Sequence, residues 1–163
     1  MKSMRVGMWF AWVVTMIALP AAAAEKPINL SLFTPVSLAK AEDAVTAFRL
    51  NFIYGKNTSV KVVDLGLVNH TTSGMSNGLE WGFVNFAEGE FSGLQLGAFN
   101  VDKGTGKGLL LGTVNYTANG GGLHLAFVNY AEKLQGVQIG AVNIIKQGGM
   151  FPVMVIANWS KKQ

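Results

Sequence analysis

The chain contains no cysteine among its 163 residues, and only 13% of them are charged. Without cysteine it has no disulfide framework, no thiol nucleophile and no Cys-ligated zinc or iron–sulfur site. Half of the residues are hydrophobic, which is too apolar a composition for a disordered protein. Two of the 13 basic residues, Lys2 and Arg5, lie in an N-terminal segment that we expect to be removed. The rest of the chain has 11 basic and nine acidic residues, which gives a net charge of +2, and neither sign forms a run. The charge distribution therefore gives no reason to expect a nucleic-acid partner.

The first 24 residues have the organisation of a secretory signal peptide. Lys2 and Arg5 precede an apolar stretch from Met8 to Leu19, and small alanines follow up to Ala24. The apolar stretch is shorter than the ~20 residues that a membrane-spanning helix needs. We therefore expect export, cleavage after Ala24, and a mature part formed by one all-β repeat domain, residues 25–163.

An octet of the type Leu-Gln-Leu-Gly-Ala-Phe-Asn-Val, seen at 94–101, recurs along the mature chain. The asparagine of each copy marks the period. The two copies that end at Asn51 and Asn158 are degenerate. A repeat at a fixed period indicates a repeat architecture. The asparagines are residues 51, 69, 85, 100, 115, 129, 143 and 158, with spacings of 18, 16, 15, 15, 14, 14 and 15.

The octet predicts β-strands. Apolar residues alternate with small or polar ones, and an internal glycine would cost a helix about 1 kcal/mol. Polar, turn-like segments such as 102–105 separate the octets, so each period consists of a strand and a short connection. Residues 28–36 are a further predicted strand, and only residues 39–44 suggest a short helical turn. We expect about eight or nine strands.

Two architectures fit this pattern. In an up-and-down antiparallel β-barrel, a face with Leu94, Leu96, Ala98 and Asn100 would meet lipid, and a face starting with Gln95 would fill a narrow lumen. A hairpin would then turn at 104–105, and the segment 151–159 would close the barrel. In a β-solenoid, each repeat is one coil, the octet bends at its glycine, and the asparagines stack in a ladder. The near-identity of the repeat units favours the solenoid, whereas the length of the predicted strands favours the barrel. We take the barrel as our first expectation.

The octets at 94–101 and 137–144, with the opening segment 32–38, resemble a family of bacterial surface-repeat proteins built from G-L-Q-I-G-L-V-N-type units. The resemblance covers residues 28–159 and departs from the pattern at Ala126 and Val155, where glycine is expected. It implies a surface or outer-membrane location. It implies no catalytic, cofactor-binding or metal-binding residue.

A search for chemistry in the sequence yields few candidates. The two histidines, His70 and His124, have no metal-ligand spacing, and the run 104–108 has a hairpin composition and lacks the spacing of a phosphate loop. We expect the carboxylates Glu80, Glu88 and Glu90 to be solvated surface groups without an acid–base role. The glycosylation motifs at Asn57 and Asn69 matter only in a eukaryotic secretory pathway. The aromatic residues Phe86, Tyr116, Tyr130 and Trp159 are candidate interfacial anchors, with packing in the core or at an edge as the alternative.

The sequence thus predicts a small, non-enzymatic protein of the outer membrane or cell surface, with a structural, adhesive or minor permeability role. Outer-membrane lipid is its expected partner, and no cofactor, metal or nucleic acid is expected; a protein partner and the oligomeric state stay open. The alternative is a soluble exported or periplasmic β-solenoid that acts as a partner-binding module.

Overall fold

The computed structural model describes residues 23–161. They form a single eight-stranded sheet in the order β2-β1-β3-β4-β5-β6-β7-β8. The expected signal peptide lies almost wholly outside the described residues. The strands are β1 (Glu25–Phe33), β2 (Val36–Ser37), β3 (Ala44–Asn57), β4 (Lys61–Thr71), β5 (Met75–Ala87), β6 (Glu90–Leu96), β7 (Phe99–Gln147) and β8 (Val153–Trp159).

The sheet coils into a β-solenoid. Successive repeats pair in parallel and in register, so that Leu79 lies beside Leu94 and Leu94 beside Leu109. Strand β7 continues through several coils without interruption. The expected barrel is therefore wrong and the alternative architecture is confirmed. Antiparallel neighbours would place equivalent residues at opposite ends, whereas parallel coils stack each residue on its own equivalent.

Each coil has three sides, which we name from the coil at 90–104. Side C contains residues 90–92, side A residues 94–96 and side B residues 99–102, together with their register equivalents in the other coils. Gly93 forms the corner between sides C and A with a φ of +145°. A Cβ at Gly93 would meet the carbonyl oxygen of Gly78 in the preceding coil, so this corner needs glycine. The run 104–108 belongs to the wall of the solenoid, and the expected hairpin there is wrong.

The bend after Gly97 changes which residues point inward. Gln95 and Asn100 are both buried, while Leu96, Ala98 and Phe99 lie on the outside. The assignment of Asn100 to the outward apolar face is wrong, because two successive outward residues at the bend shift the alternation by one position. The outward position of Leu94 and Leu96 is as expected.

The two ends of the solenoid depart from the repeat. Strand β8 pairs with the last coil in the antiparallel direction, so Asn158 lies beside Gln138 and does not end a further coil. At the other end, β2 folds back on β1. The segment 39–43 forms bends and turns instead of the helical turn suggested for 39–44, and Ala44 begins β3. Both ends are thus covered by strands that interrupt the parallel stacking.

Candidate functional site

The interior of the solenoid is lined mainly by polar side chains. One interior column is an asparagine ladder in which the Nδ2 of each residue donates to the Oδ1 of the next, as from Asn100 to Asn115 at 2.8 Å. The same Nδ2 of Asn100 donates to the carbonyl oxygen of Leu111. These bonds satisfy buried amides within the protein. Six ladder bonds of 2.8–3.0 Å join Asn51, Asn69, Asn85, Asn100, Asn115, Asn129 and Asn143.

A second interior column begins with a buried ion pair. The Nε of Arg49 donates to Asp64 at 2.8 Å, and its Nη1 donates to Asn57 and to the carbonyl oxygen of His70 at 3.1 Å. Arg49 is fully buried, so this pairing satisfies a charge that would otherwise be costly to enclose. Its role is structural.

Glu80 continues this column and does not group with Glu88 and Glu90. The Nε2 of Gln95 donates to Glu80 at 2.7 Å and to Asp102 at 3.2 Å, which places two buried carboxyl groups around one amide. Burial raises the pKa of Asp102 from 3.8 to about 7, and burial also raises the pKa of Glu80 well above its usual value. Paired carboxyls with raised pKa values occur in active sites. These two are enclosed by the solenoid wall, where a substrate has no access.

The two histidines lie in different environments. His124 is fully buried in the column of Glu80 and Gln95, and burial lowers its pKa to about 4. His70 lies at the edge of side B, where Nδ1 is 2.7 Å from the hydroxyl of Tyr54 and Nε2 is 3.0 Å from Glu88. Burial lowers the pKa of His70 and raises that of the Tyr54 hydroxyl. The Tyr54–His70–Glu88 group, which the sequence analysis missed, thus contains a phenol that ionises less readily than that of a free tyrosine.

The glycosylation motifs and the tyrosines singled out in the sequence lie in the wall of the solenoid. Asn57 and Asn69 are fully buried, so neither glycosylation motif presents its asparagine in the folded protein. Tyr116 stacks on Tyr130 on the outside of side B with ring centroids 5.3 Å apart. Among residues 23–161, no three His, Asp or Glu side chains gather in a metal-binding arrangement.

The outside of the solenoid is apolar on sides A and B. Trp81 on side A is 62% exposed, and Phe127 at the corner between the two sides is 66% exposed. From residue 63 to residue 147, every outward-facing Lys and Glu lies on side C or in the turn that leads to it. The solenoid therefore has mainly polar groups inside and hydrocarbon outside, the reverse of the usual arrangement, although Phe91, Leu110 and Ile145 are among the apolar side chains that are buried as well.

Comparisons with known proteins add no further constraint. No protein-family model, curated protein or solved structure matches the chain. In the part of the chain that the structure describes, no helix has the length and apolarity needed to cross a membrane.

Proposed function

We propose that this chain is a non-enzymatic, exported binding module whose binding surface is the apolar exterior formed by sides A and B. The location that we propose is the cell envelope, in keeping with the resemblance to bacterial surface-repeat proteins. The observation that carries the proposal is the exposure of large apolar side chains over two adjacent sides, among them Leu67, Trp81, Phe83, Phe99, Phe127 and Ile139.

An apolar surface of this extent needs a partner. Monomeric soluble proteins rarely expose contiguous apolar patches larger than a few hundred Å², and larger patches mark interaction sites. Little of the interior is left for these side chains, because the asparagine ladder, the Arg49 and Gln95 clusters and a smaller set of buried apolar residues already fill it. The repeat thus keeps its apolar residues on the outside in coil after coil.

A non-enzymatic role is supported by the positions of the reactive groups. Glu80, Asp102 and His124 are buried, whereas the Tyr54–His70–Glu88 group and the pair of Tyr116 with Glu132 reach the surface. None of these groups lines a concave site of the kind that encloses a substrate. We therefore assign the polar interior to folding and the apolar exterior to binding.

The proposal is tested by the state of the purified protein in mild detergent. We expect it to bind detergent, and to associate with itself when the detergent is withdrawn, as measured by light scattering coupled to size exclusion. Trp81→Glu with Phe127→Glu should reduce both effects, because each places a charge on the binding surface. Ser92→Glu on side C is the matched control and should change neither. A wild-type protein that is monomeric and free of bound detergent would overturn the proposal.

A further inference from the structure

The shape of the apolar surface restricts what can cover it. Each coil bends after the position of Gly97, so sides A and B meet at a corner and face different directions. Phe83 and Phe127 lie on that corner and are more than half exposed. A flat sheet, such as the side of a second copy, covers one side and leaves the other in water. Fluid hydrocarbon covers both sides and the corner together.

We propose that sides A and B are inserted into the outer part of a lipid bilayer that contains anionic headgroups, with side C in the water. This inference rests on the proposed binding role of the apolar exterior and names its partner. The solenoid would lie along the membrane surface without spanning it. Nine strand segments contribute to side A, from β1 to β8, which at ~4.8 Å per neighbouring strand gives an apolar surface about 38 Å long.

The backbone of sides A and B is compatible with lipid. The peptide groups of each coil bond to the coils before and after it, as Gly97 does when its N–H donates to the carbonyl oxygen of Leu111. The asparagine ladder satisfies further carbonyl oxygens at the bend, such as that of Leu96. Lipid-exposed segments need such internal pairing, because hydrocarbon offers no hydrogen bonds.

Charged groups are placed where the headgroups would lie. Lys103 has its Nζ 4.8 Å from the ring of Phe86, and Lys146 has its Nζ 5.5 Å from the ring of Tyr130, both at the border between sides B and C. Aromatic rings and lysines at such a border are typical of membrane interfaces. Of the outward charges between residues 56 and 147, those in the turns between sides B and C are Lys103, Lys146, Glu88 and Glu132, those on side C are Lys61, Lys107, Lys133 and Glu90, and Lys56 lies on side B in register with His70. Together they give an excess of three positive charges.

The chain contains its own reporters for this orientation. Trp81 and Trp159 both point outward from side A, where Trp159 lies beside Val137. The other two tryptophans, Trp9 and Trp12, lie in the expected signal peptide. In a full chain with Trp9→Phe and Trp12→Phe, all tryptophan fluorescence therefore comes from side A.

The experiment mixes this chain with phosphatidylcholine vesicles that contain a quarter phosphatidylglycerol and acyl chains brominated at defined depths. We expect strong quenching of Trp81 and Trp159 by the bromines. In the control, Trp81→Phe and Trp159→Phe are combined with Ser92→Trp, which moves the reporter to side C, and we expect binding without quenching. Lys103→Gln and Lys146→Gln should each weaken binding about fivefold, since a lysine near an anionic surface contributes about 1 kcal/mol.

The outcomes separate this inference from the proposed function. Equal quenching on sides A and C, or equal binding to vesicles without phosphatidylglycerol, would overturn the lipid assignment. Absence of quenching together with a stable oligomer that Trp81→Glu dissociates would also overturn it, and would make a second copy the partner while the binding role stands. Absence of quenching in a monomeric, detergent-free protein would overturn both.

Discussion

The side chain of Asn51 occupies the space that Gly55 leaves empty in the first coil of the ladder. In the sheet register, Gly55 lies beside Asn69, while Asn51 lies beside Gly66. The glycine and asparagine positions of the repeat are thus exchanged in this coil. Asn51 nevertheless donates to Asn69 at 2.9 Å, and a Cβ at position 55 would overlap its amide. The first spacing of 18 residues therefore reflects this exchange and an extra residue in β3 before Tyr54.

This relationship predicts a compensating pair of substitutions. Gly55→Asn alone should destabilise the fold by about 1–3 kcal/mol, because the new side chain overlaps that of Asn51. Adding Asn51→Gly should restore at least half of the loss, since it recreates the order of the other coils. The measurement is the free energy of unfolding in a double-mutant cycle. Additive effects would contradict the exchange.

Replacing a corner glycine by alanine should destabilise the fold by more than backbone strain alone, because the new Cβ meets the preceding coil. Gly108 has a φ of +117°, and a Cβ there would meet the carbonyl oxygen of Gly93. Gly108→Ala should destabilise the fold by about 3 kcal/mol or more, since strain and displacement of a neighbouring coil combine.

Gly148 is the matched control, with a φ of +79° and nothing within 4 Å of a Cβ. Gly148→Ala should cost only the strain, about 1–2 kcal/mol. Thermal or denaturant unfolding measures both variants. Equal losses would show that the close approach of adjacent coils does not limit this position.

The sequence predicts the period, the β-structure and the burial of Gln95, but not the direction of the strands. Inward and outward residues alternate in the same way in a barrel and in a solenoid as far as Gly97, so alternation alone does not distinguish them. A signal that does is the glycine that precedes successive octets, as at Gly78, Gly93 and Gly108, and forms a corner against the preceding coil. The exchange at Asn51 is not readable from one sequence, because it depends on the register between coils.

Cysteine pairs on the outside provide a direct test of strand direction. Leu94 lies beside Leu109 in the parallel register, where neighbouring Cα atoms are ~4.8 Å apart. Leu94→Cys with Leu109→Cys should form a disulfide on mild oxidation, because this separation lies in the ~4.4–6.8 Å range of disulfides. The chain has no native cysteine, so a shift in gel mobility reports the bond.

The control pair is Leu94→Cys with Leu123→Cys, which lies one coil further along the solenoid. Its Cα separation of about 10 Å is too large for a disulfide without backbone movement. We expect no bond in this pair. Oxidation of both pairs to the same extent would indicate random collision and contradict the stacked register.

Asp102 predicts a loss of stability as the pH rises. Its pKa in the folded protein is raised from 3.8 to about 7 by burial, with Gln95 acting in the opposite direction. Between these values the folded state binds a proton that the unfolded state has lost, so the free energy of unfolding decreases as the pH rises. Across about three pH units the contribution is about 4 kcal/mol.

The comparison that isolates this effect is wild type against Asp102→Asn, which has an uncharged side chain at every pH. His124, with a pKa lowered to about 4, acts in the opposite direction between pH 4 and 6.5, and Glu80 acts in the same direction as Asp102. Both groups are present in the two proteins, so the difference between their unfolding free energies reports Asp102 together with its electrostatic effect on Glu80. The stability of Asp102→Asn relative to wild type should increase from pH 4 to pH 7, as measured by urea unfolding at each pH. Parallel curves over this range would show that Asp102 is already ionised in the folded protein, and the solenoid interior would then hold a buried negative charge beside Gln95.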